Sequence, residues 1–205
     1  MFQSLVGTLV ICFGTISLLQ EFGVDVTVLL GSAAVLGMAI AFGAQNLIRD
    51  YFYGFMILIE NQYRVGNVIK IGAISGVVED ISLRITVLRD QEGVAHFIPH
   101  SQITTVSNLT HGWSRAVFEV GIAHKESVDR VIELLRQLAI DLRKDPRFEY
   151  LMIDEPEMLG VDKISDVAVT IKFQIKTRPL KQWTVKRELL RRIKNAFAEQ
   201  GIELH

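Results

Sequence analysis

The first 48 residues contain no lysine or arginine, and this gap constrains the fold more than any other feature of the sequence. Glu21 and Asp25 are the only charged residues before Arg49, so all 22 basic residues lie in residues 49–205. Charged side chains normally cover much of a water-soluble surface. The sequence therefore predicts an N-terminal part that faces lipid and a longer part that faces water.

Two apolar runs occupy the N-terminal part. Residues 2–19 form a run of about 18 and residues 26–48 a run of about 23, and roughly 20 helical residues cross the hydrocarbon core of a bilayer. The polar residues 20–25 between the runs predict a short turn, and hence a membrane hairpin. A secretory signal peptide is a weaker interpretation of the first run, because residues 1–4 carry no basic side chain.

The basic residues also indicate an orientation. They are absent from the turn at residues 20–25 and begin with Arg49, directly after the second run. The positive-inside rule then predicts that the turn faces outward and that residues 61–205 are cytoplasmic. Because the first run begins without a flanking charge, we expect this chain to be the C-terminal portion of a longer protein.

Small residues dominate the second run. Ala33, Gly37 and Ala41 recur every four residues and form one flat ridge on a helix, which lets helices approach closely. A neighbouring stripe at helical spacing consists of Ala34, Met38, Phe42 and Gln45. One interpretation is an ordinary packed helix pair. The other is a ring of identical helices whose apolar stripe faces a central axis and closes it by dewetting.

The inner end of the second run is polar. Gln45 and Asn46 interrupt the apolar sequence, and an asparagine side chain competes for backbone hydrogen bonds inside a helix. We therefore predict a bend near Asn46. The aromatic, amphipathic residues 51–59 then predict a helix that lies along the inner face of the membrane.

Two small folded units are predicted after the hairpin. Closely spaced short strands separated by glycine turns indicate a small β-barrel, with predicted strands at 68–71, 76–81, 85–88, 95–98 and 106–109. A strand, helix, strand, helix order then indicates an α+β domain, with elements at 116–122, 127–142, 167–175 and 183–200 and Ser127 as the helix N-cap. The predicted domains are residues 1–60, 61–115 and 116–205.

Catalytic and metal-binding patterns are missing from the sequence. The five histidines lack metal-ligand spacing, are expected on the surface or in loops, and are His96, His100, His111, His124 and His205. The single cysteine, Cys12, cannot form a disulfide framework, and a net charge of −1 does not suggest a nucleic-acid partner. We expect no enzymatic activity, no catalytic residue, no metal and no cofactor. An enzyme anchored by a hairpin and a solute transporter are accordingly disfavoured.

Several segments, in one order along the chain, are similar to the mechanosensitive channel of small conductance (MscS) family. They are Ala41–Asp50, Gly54–Glu60, Tyr63–Ile69, Gly76–Glu79, Ile98–Ile103 and Val120–Ala123. The resemblance implies a membrane α-helical hairpin, a cytoplasmic Sm-like β-barrel and a ferredoxin-like α+β domain. It also implies a homoheptamer in the bacterial inner membrane that opens under membrane tension and releases ions and small osmolytes on hypo-osmotic shock.

The resemblance further implies roles for residues of the second helix. Met38 and Phe42 fall on the family's two pore-constriction positions, and Gln45 and Asn46 fall at its kink. The small packing positions are Ala33, Ala34, Gly37 and Ala41. The sequence departs from the family where Met38 and Phe42 replace leucine, where Asn46 replaces glycine and where His100 replaces asparagine. The alternative function is a membrane-anchored oligomeric scaffold or regulatory protein with little conductance.

Overall fold

The computed structural model describes residues 2–23 and 25–203, and the N-terminal part consists of two apolar helices. Helix α1 is Phe2–Glu21 and helix α2 is Thr27–Glu60. Helix α2 begins where the Asp25 carboxylate accepts a hydrogen bond from the Thr27 backbone N–H at 2.9 Å. This contact satisfies one of the backbone donors that a helix start leaves unpaired. The two predicted apolar helices and the polar connection between them are thus present.

Helix α2 is longer than predicted. It runs for 34 residues, from the apolar segment through the aromatic residues 51–59, with no interruption at Gln45 or Asn46. Asparagine in a helix interior costs less than about 1 kcal/mol, and the helix on either side is already formed, so the helical state continues through it. The bend near Asn46 therefore remains a prediction, and it would have to be a bend within a continuous helix.

A five-stranded antiparallel sheet follows α2. Its strands are β1 Val68–Ile71, β2 Ile74–Ile81, β3 Ile85–Arg89, β4 Ala95–Pro99 and β5 Val106–Asn108. The order is β4-β3-β2-β1-β5, so the last strand returns to pair with the first. The predicted strands agree with these bounds to within two residues. A short 3₁₀ turn, His100–Gln102, connects β4 to β5 and carries the chain across the sheet.

Close approach between β2 and β3 requires a glycine. A Cβ on Gly76 would lie 2.4 Å from the carbonyl oxygen of Arg89, a distance that real side chains do not reach. The sheet packs on a core of buried side chains, formed by Ile57, Tyr63, Ile69, Ile71, Val78, Leu88 and Ile98. Because Ile57 belongs to α2, the inner end of the long helix is part of this core.

The remaining chain forms a second, three-stranded sheet with two helices on one face. The elements are β6 Ser114–Ile122, α3 Val128–Lys144, β7 Glu157–Ile164, β8 Val169–Thr177 and α4 Gln182–Gln200. Alternate residues of β6 and β8 are buried beneath both helices, and the rings of Phe118 and Phe173 stack at 4.5 Å between centroids. The Ser127 side chain accepts a hydrogen bond from the Arg130 backbone N–H, as its predicted N-cap role requires.

Strand β7 was not predicted from the sequence. It lies at the edge of the order β6-β8-β7, and its pairing with β8 shifts register between Met158 and Gly160 and again between Val161 and Lys163. Each shift breaks the alternation of apolar and polar residues that identifies a strand. The sequence pattern of β7 is therefore lost, although the strand is hydrogen-bonded along its length.

The basic side of α4 is less exposed than its sequence suggests. Arg192 is only 20 % exposed and lies 2.6 Å from Asp145 and 2.9 Å from Glu188, so it is not a freely solvated charge. Hydrogen bonds from Arg191 and Arg192 lower the pKa of Glu188 to about 2. This cluster joins the end of α3 to α4.

We expect Glu188→Gln to lower the thermal midpoint of the protein by roughly 2–4 °C at pH 7. Because folding lowers the pKa of Glu188, its carboxylate stabilises the folded state at pH values above its ordinary pKa of 4.5. This stabilisation is lost as the pH falls from 4.5 toward 2. The difference between the variant and the original protein should therefore shrink as the pH is lowered from about 5 to about 3. Glu133→Gln, which removes an exposed pair with Arg136, is the control and should change little at any pH. An unchanged midpoint in Glu188→Gln would contradict the stabilising role.

Candidate functional site: the long helix and its seat on the sheet

Helix α2 is long and apolar enough to cross a membrane, and its most apolar stretch is entirely exposed in the single chain. The described Val10–Glu21 part of α1 is a shorter apolar helix. A helix that is apolar on all sides is stable only when something other than water surrounds it. Lipid or further copies of the chain must therefore cover this surface.

The predicted pore and packing residues all lie on this exposed stretch. Met38 is 55 % exposed and Phe42 is 74 % exposed. The small residues Ala33, Ala34, Gly37 and Ala41 are also exposed. No heavy atom lies within 4 Å of where a Cβ on Gly37 would stand. The single chain thus leaves both stripes free, and their roles stay predictions about an assembly.

The inner end of α2 behaves differently, because one face of it is buried. Asp50, Gly54 and Ile57 are the buried residues of this helix, and their spacing of four and three places them on one face. This face sits against the 3₁₀ turn His100–Gln102 and the five-stranded sheet. We call this contact the seat of α2.

Gly54 allows the helix to approach the sheet closely. A Cβ at this position would lie 2.2 Å from the carbonyl oxygen of Leu83 and 2.3 Å from Nδ1 of His100. Both distances are far shorter than any real Cβ contact, so no other residue fits here without displacing the helix. Gly54 begins the segment Gly54–Glu60 noted in the sequence, but only the contact with Leu83 and His100 shows why this position must be glycine.

Asp50 anchors the seat by a hydrogen bond and an ion pair. Its Oδ1 accepts the backbone N–H of Ser101 at 2.7 Å, and its Oδ2 lies 3.8 Å from the guanidinium of Arg84. The Asp50 side chain is almost fully buried, so removing either partner would leave a carboxylate poorly compensated.

A buried chain of polar side chains runs beneath the seat. The Tyr63 hydroxyl lies 2.8 Å from Oγ1 of Thr86, and the same oxygen lies 2.9 Å from Nε2 of His100. His100 and Thr86 have no exposed surface, and Tyr63 has almost none. Burial lowers the pKa of His100 below its ordinary value of 6.5, although the nearby carbonyls and carboxylate of the seat act in the opposite direction.

The histidines were expected on the surface or in loops, and His100 does lie in the turn between β4 and β5, but its side chain is completely buried. The other predicted histidines from 96 to 124 are partly or fully exposed, and His205 lies outside the described residues. The residues of the seat that sequence analysis missed as a set are Asp50, Gly54, Tyr63, Thr86 and Ser101. A usable signal was the acidic side chain of Asp50, spaced by four residues from a glycine on the same helix face.

No metal-binding cluster accompanies the seat. Among residues 2–23 and 25–203, no group of three or more His, Cys, Asp or Glu side chains is arranged to hold an ion. The polar groups of the seat instead form two sets of contacts, one from Asp50 to Ser101 and Arg84, and one that joins Tyr63, Thr86 and His100.

Comparison with known protein families accounts for nearly the whole chain. The family model for transmembrane helices 2/3 of mechanosensitive ion channels matches residues 8–45. The model for the β-domain of these channels matches residues 46–111, and the model for the C-terminal domain of MscS matches residues 116–204. The chain belongs to the MscS family of mechanosensitive ion channels. The family resemblance seen in the sequence motifs is thereby confirmed.

Curated relatives of the MscS family match at moderate identity. The small-conductance mechanosensitive channel of Caldanaerobacter subterraneus subsp. tengcongensis is 37 % identical over 186 residues, which are 91 % of this chain and 65 % of that protein. The moderate conductance mechanosensitive channel YbiO of Escherichia coli is 32 % identical over 202 residues, which are 98 % of this chain and 27 % of that protein. The chain thus spans less than two thirds of the length of these two relatives.

Solved structures of the MscS family share the fold. The closed-state crystal structure of Helicobacter pylori MscS aligns with a TM-score of 0.78 at 18 % identity, covering 98 % of this chain and 79 % of that one. The structure of Arabidopsis thaliana MSL1 aligns with a TM-score of 0.69 over 98 % of this chain. The predicted fold class, with apolar N-terminal helices followed by a β-rich unit and an α+β unit, is confirmed.

Proposed function

We propose that this chain forms a channel that membrane tension opens, and that it releases ions and small osmolytes after hypo-osmotic shock. The observation that carries the proposal is the contrast along α2. Its outer part exposes a small-residue ridge and an apolar stripe, while its inner part is fixed to a folded sheet. A membrane anchor has no need of either stripe. The names of the relatives, which are mechanosensitive channels, support the same function.

We infer that the channel is a homo-oligomer, and that by family resemblance it is a heptamer. The ridge of Ala33, Gly37 and Ala41, with Ala34 beside it, would pack neighbouring copies of α2. Met38 and Phe42 would then face the axis and close it to water. Tension favours whichever state occupies more membrane area, so it shifts the population toward an expanded, open ring. Gln45 and Asn46 would mark where α2 bends away from the axis.

The proposed placement is a multi-pass protein of the cell membrane, in bacteria the inner membrane. Residues 1–60 would form the membrane unit, with α2 ending along the inner face. Residues 61–115 and 116–205 would form the two cytoplasmic domains. The basic residues that begin at Arg49 support this orientation. Lipids, permeating ions and small osmolytes are the proposed partners.

Reconstitution into liposomes tests the proposal. Excised patches would be held under stepped suction, and openings that increase with tension would establish the channel. Silence up to patch rupture, with the protein verified in the bilayer, would contradict the channel and favour the membrane-anchored scaffold.

We expect Gly37→Leu to raise the tension needed for half-maximal opening. The leucine side chain would stand on the flat ridge and hinder sliding between adjacent copies of α2. Gly43→Leu is the matched control, because the same substitution falls on a third face of α2, away from the ridge and from the apolar stripe. We expect its threshold to change by clearly less. Equal thresholds in both variants would argue against packing along the ridge.

A further inference from the structure

His100 is completely buried at the seat of α2, and one of its ring nitrogens is not hydrogen-bonded. Nε2 lies 2.9 Å from the Thr86 hydroxyl oxygen on β3. Nδ1 faces α2 at Gly54, and among the described residues it has no hydrogen-bond partner of good geometry. A titratable ring, in which Nδ1 is not hydrogen-bonded, thus fills the space between the helix and the sheet.

The neutral ring fits its surroundings in one arrangement. The carbonyl groups of Asp50 and Leu83 lie next to the ring and can only accept, so the single hydrogen belongs on Nδ1. Nε2 then accepts the Thr86 hydroxyl, and the Thr86 oxygen accepts the hydroxyl of Tyr63. Every hydroxyl hydrogen in this buried chain has an acceptor.

A second proton on the ring disturbs this order. Nε2–H would then donate to the Thr86 oxygen, which leaves two hydroxyl hydrogens, those of Thr86 and Tyr63, for one remaining contact between these two groups. One of the two hydrogens would therefore have no acceptor within the buried chain. The charged groups that face the ring are the Asp50 carboxylate on α2, which attracts the positive charge, and Arg84, which partly neutralises that carboxylate. The ring itself has no access to water, which disfavours its charged form.

The sign of the pH effect follows from these neighbours. Burial lowers the pKa of His100 in the seated state, whereas a ring released to water returns to its ordinary value near 6.5. Proton binding therefore favours the released state. The contribution of His100 to seating is complete above about pH 6.5 and is lost as the pH falls below it.

We propose that His100 is a proton-sensitive latch, which holds α2 on the five-stranded sheet when its ring is neutral and releases the helix when the ring is protonated. The structural part of this proposal concerns only the helix–sheet contact. Its consequence for conduction rests on the proposed channel function, since α2 would carry the pore stripe. An acidic cytoplasmic face would then change the tension at which the channel opens.

Hydrogen exchange tests the latch without requiring any current. The protein would be placed in lipid nanodiscs, and exchange would be measured at pH 7.5 and pH 5.5, with correction for the intrinsic pH dependence of exchange. We expect protection of residues 54–60 and 100–103 to fall at pH 5.5, by at most about tenfold for each pH unit below 6.5. His100→Asn should show equal protection at both pH values.

Three further variants separate the latch from other causes. His96→Asn removes the histidine that pairs with Asp90 elsewhere on the same sheet, and its pH response should match the original protein. Asp50→Asn removes the facing negative charge and so lowers the pKa of the seated ring further, and the response should still begin near pH 6.5 and extend to lower pH. If His100→Asn does not fold, Thr86→Val, which removes the partner of Nε2, should alter the midpoint of the response. An unchanged response in His100→Asn, or none in the original protein, would overturn the proposal.

Patch recording separates failure of the latch from failure of the channel. With the cytoplasmic face at pH 7.5 and then pH 5.5, the threshold should shift in the original protein and stay constant in His100→Asn. Exchange that responds to pH through His100, with no current at any tension, would support the latch and contradict the proposed function. Openings under tension without any pH response in exchange would contradict the latch alone.

Discussion

Phe42→Ser is expected to leave the channel conducting without applied tension. In the proposed assembly Phe42 faces the axis, where its ring keeps the constriction dry. Burying such a side chain is worth about 1.5–3 kcal/mol, and a hydroxymethyl group supplies almost none of it while attracting water. A free-energy change of about 1.4 kcal/mol alters an equilibrium constant tenfold. The loss of this side chain in a single subunit should therefore lower the ratio of closed to open channels by at least about tenfold.

Ile40→Ser provides the matched comparison for this prediction. Ile40 is 72 % exposed on the same helix, close to the 74 % of Phe42, but it points almost oppositely around the helix. Resting current in unstretched patches and growth of expressing cells would be measured for both variants. We expect Phe42→Ser to leak and to slow growth, and Ile40→Ser to do neither. A tight closed state in Phe42→Ser would show that this residue does not lie on the axis.

Gly54→Ala is expected to lift α2 from its seat. The added methyl group would meet a backbone carbonyl oxygen at 2.2 Å, and a backbone atom cannot turn aside as a flexible side chain can. Overpacking typically costs about 1–3 kcal/mol, and this contact belongs at the upper end of that range. The loss should exceed the gain of up to about 1 kcal/mol that alanine brings to a helix interior.

Gly31→Ala is the control for the seat. It makes the same substitution in the same helix, where no heavy atom lies within 4 Å of the new Cβ. Thermal unfolding and hydrogen exchange at residues 100–103 would be compared between the two variants. We expect Gly54→Ala to lose protection there and Gly31→Ala to keep it. Unchanged protection in Gly54→Ala would mean that the helix can shift without leaving the sheet.

Much of the fold was predictable because it follows from local periodicity. The absence of basic residues before Arg49 and the two apolar runs predicted the N-terminal helices. Alternating residues and glycine turns predicted all five strands of the first sheet. Ser127 was predicted as an N-cap because its side chain can accept from the first turn, and it does so.

Features that depend on distant parts of the chain were not predictable in this way. Strand β7 was not predicted, because its irregular pairing with β8 removes the alternation of apolar and polar residues by which a strand is recognised. The pairing of Arg192 with Asp145, which lies 47 positions earlier, leaves no local pattern in the sequence. In each case the deciding partner comes from another element, and one sequence window does not contain it.

Helix α2 shows where local and tertiary information divide. The sequence alone determined that this helix is apolar, that small residues form a ridge on it and that an aromatic segment follows. Hydrophobicity and helical spacing are properties of neighbouring residues, so they can be read along the chain. The tertiary structure alone decided that Gly54 must be glycine and that His100 is buried between the helix and the sheet. Those two facts depend on which atoms meet after residues about 45 positions apart are brought together by folding.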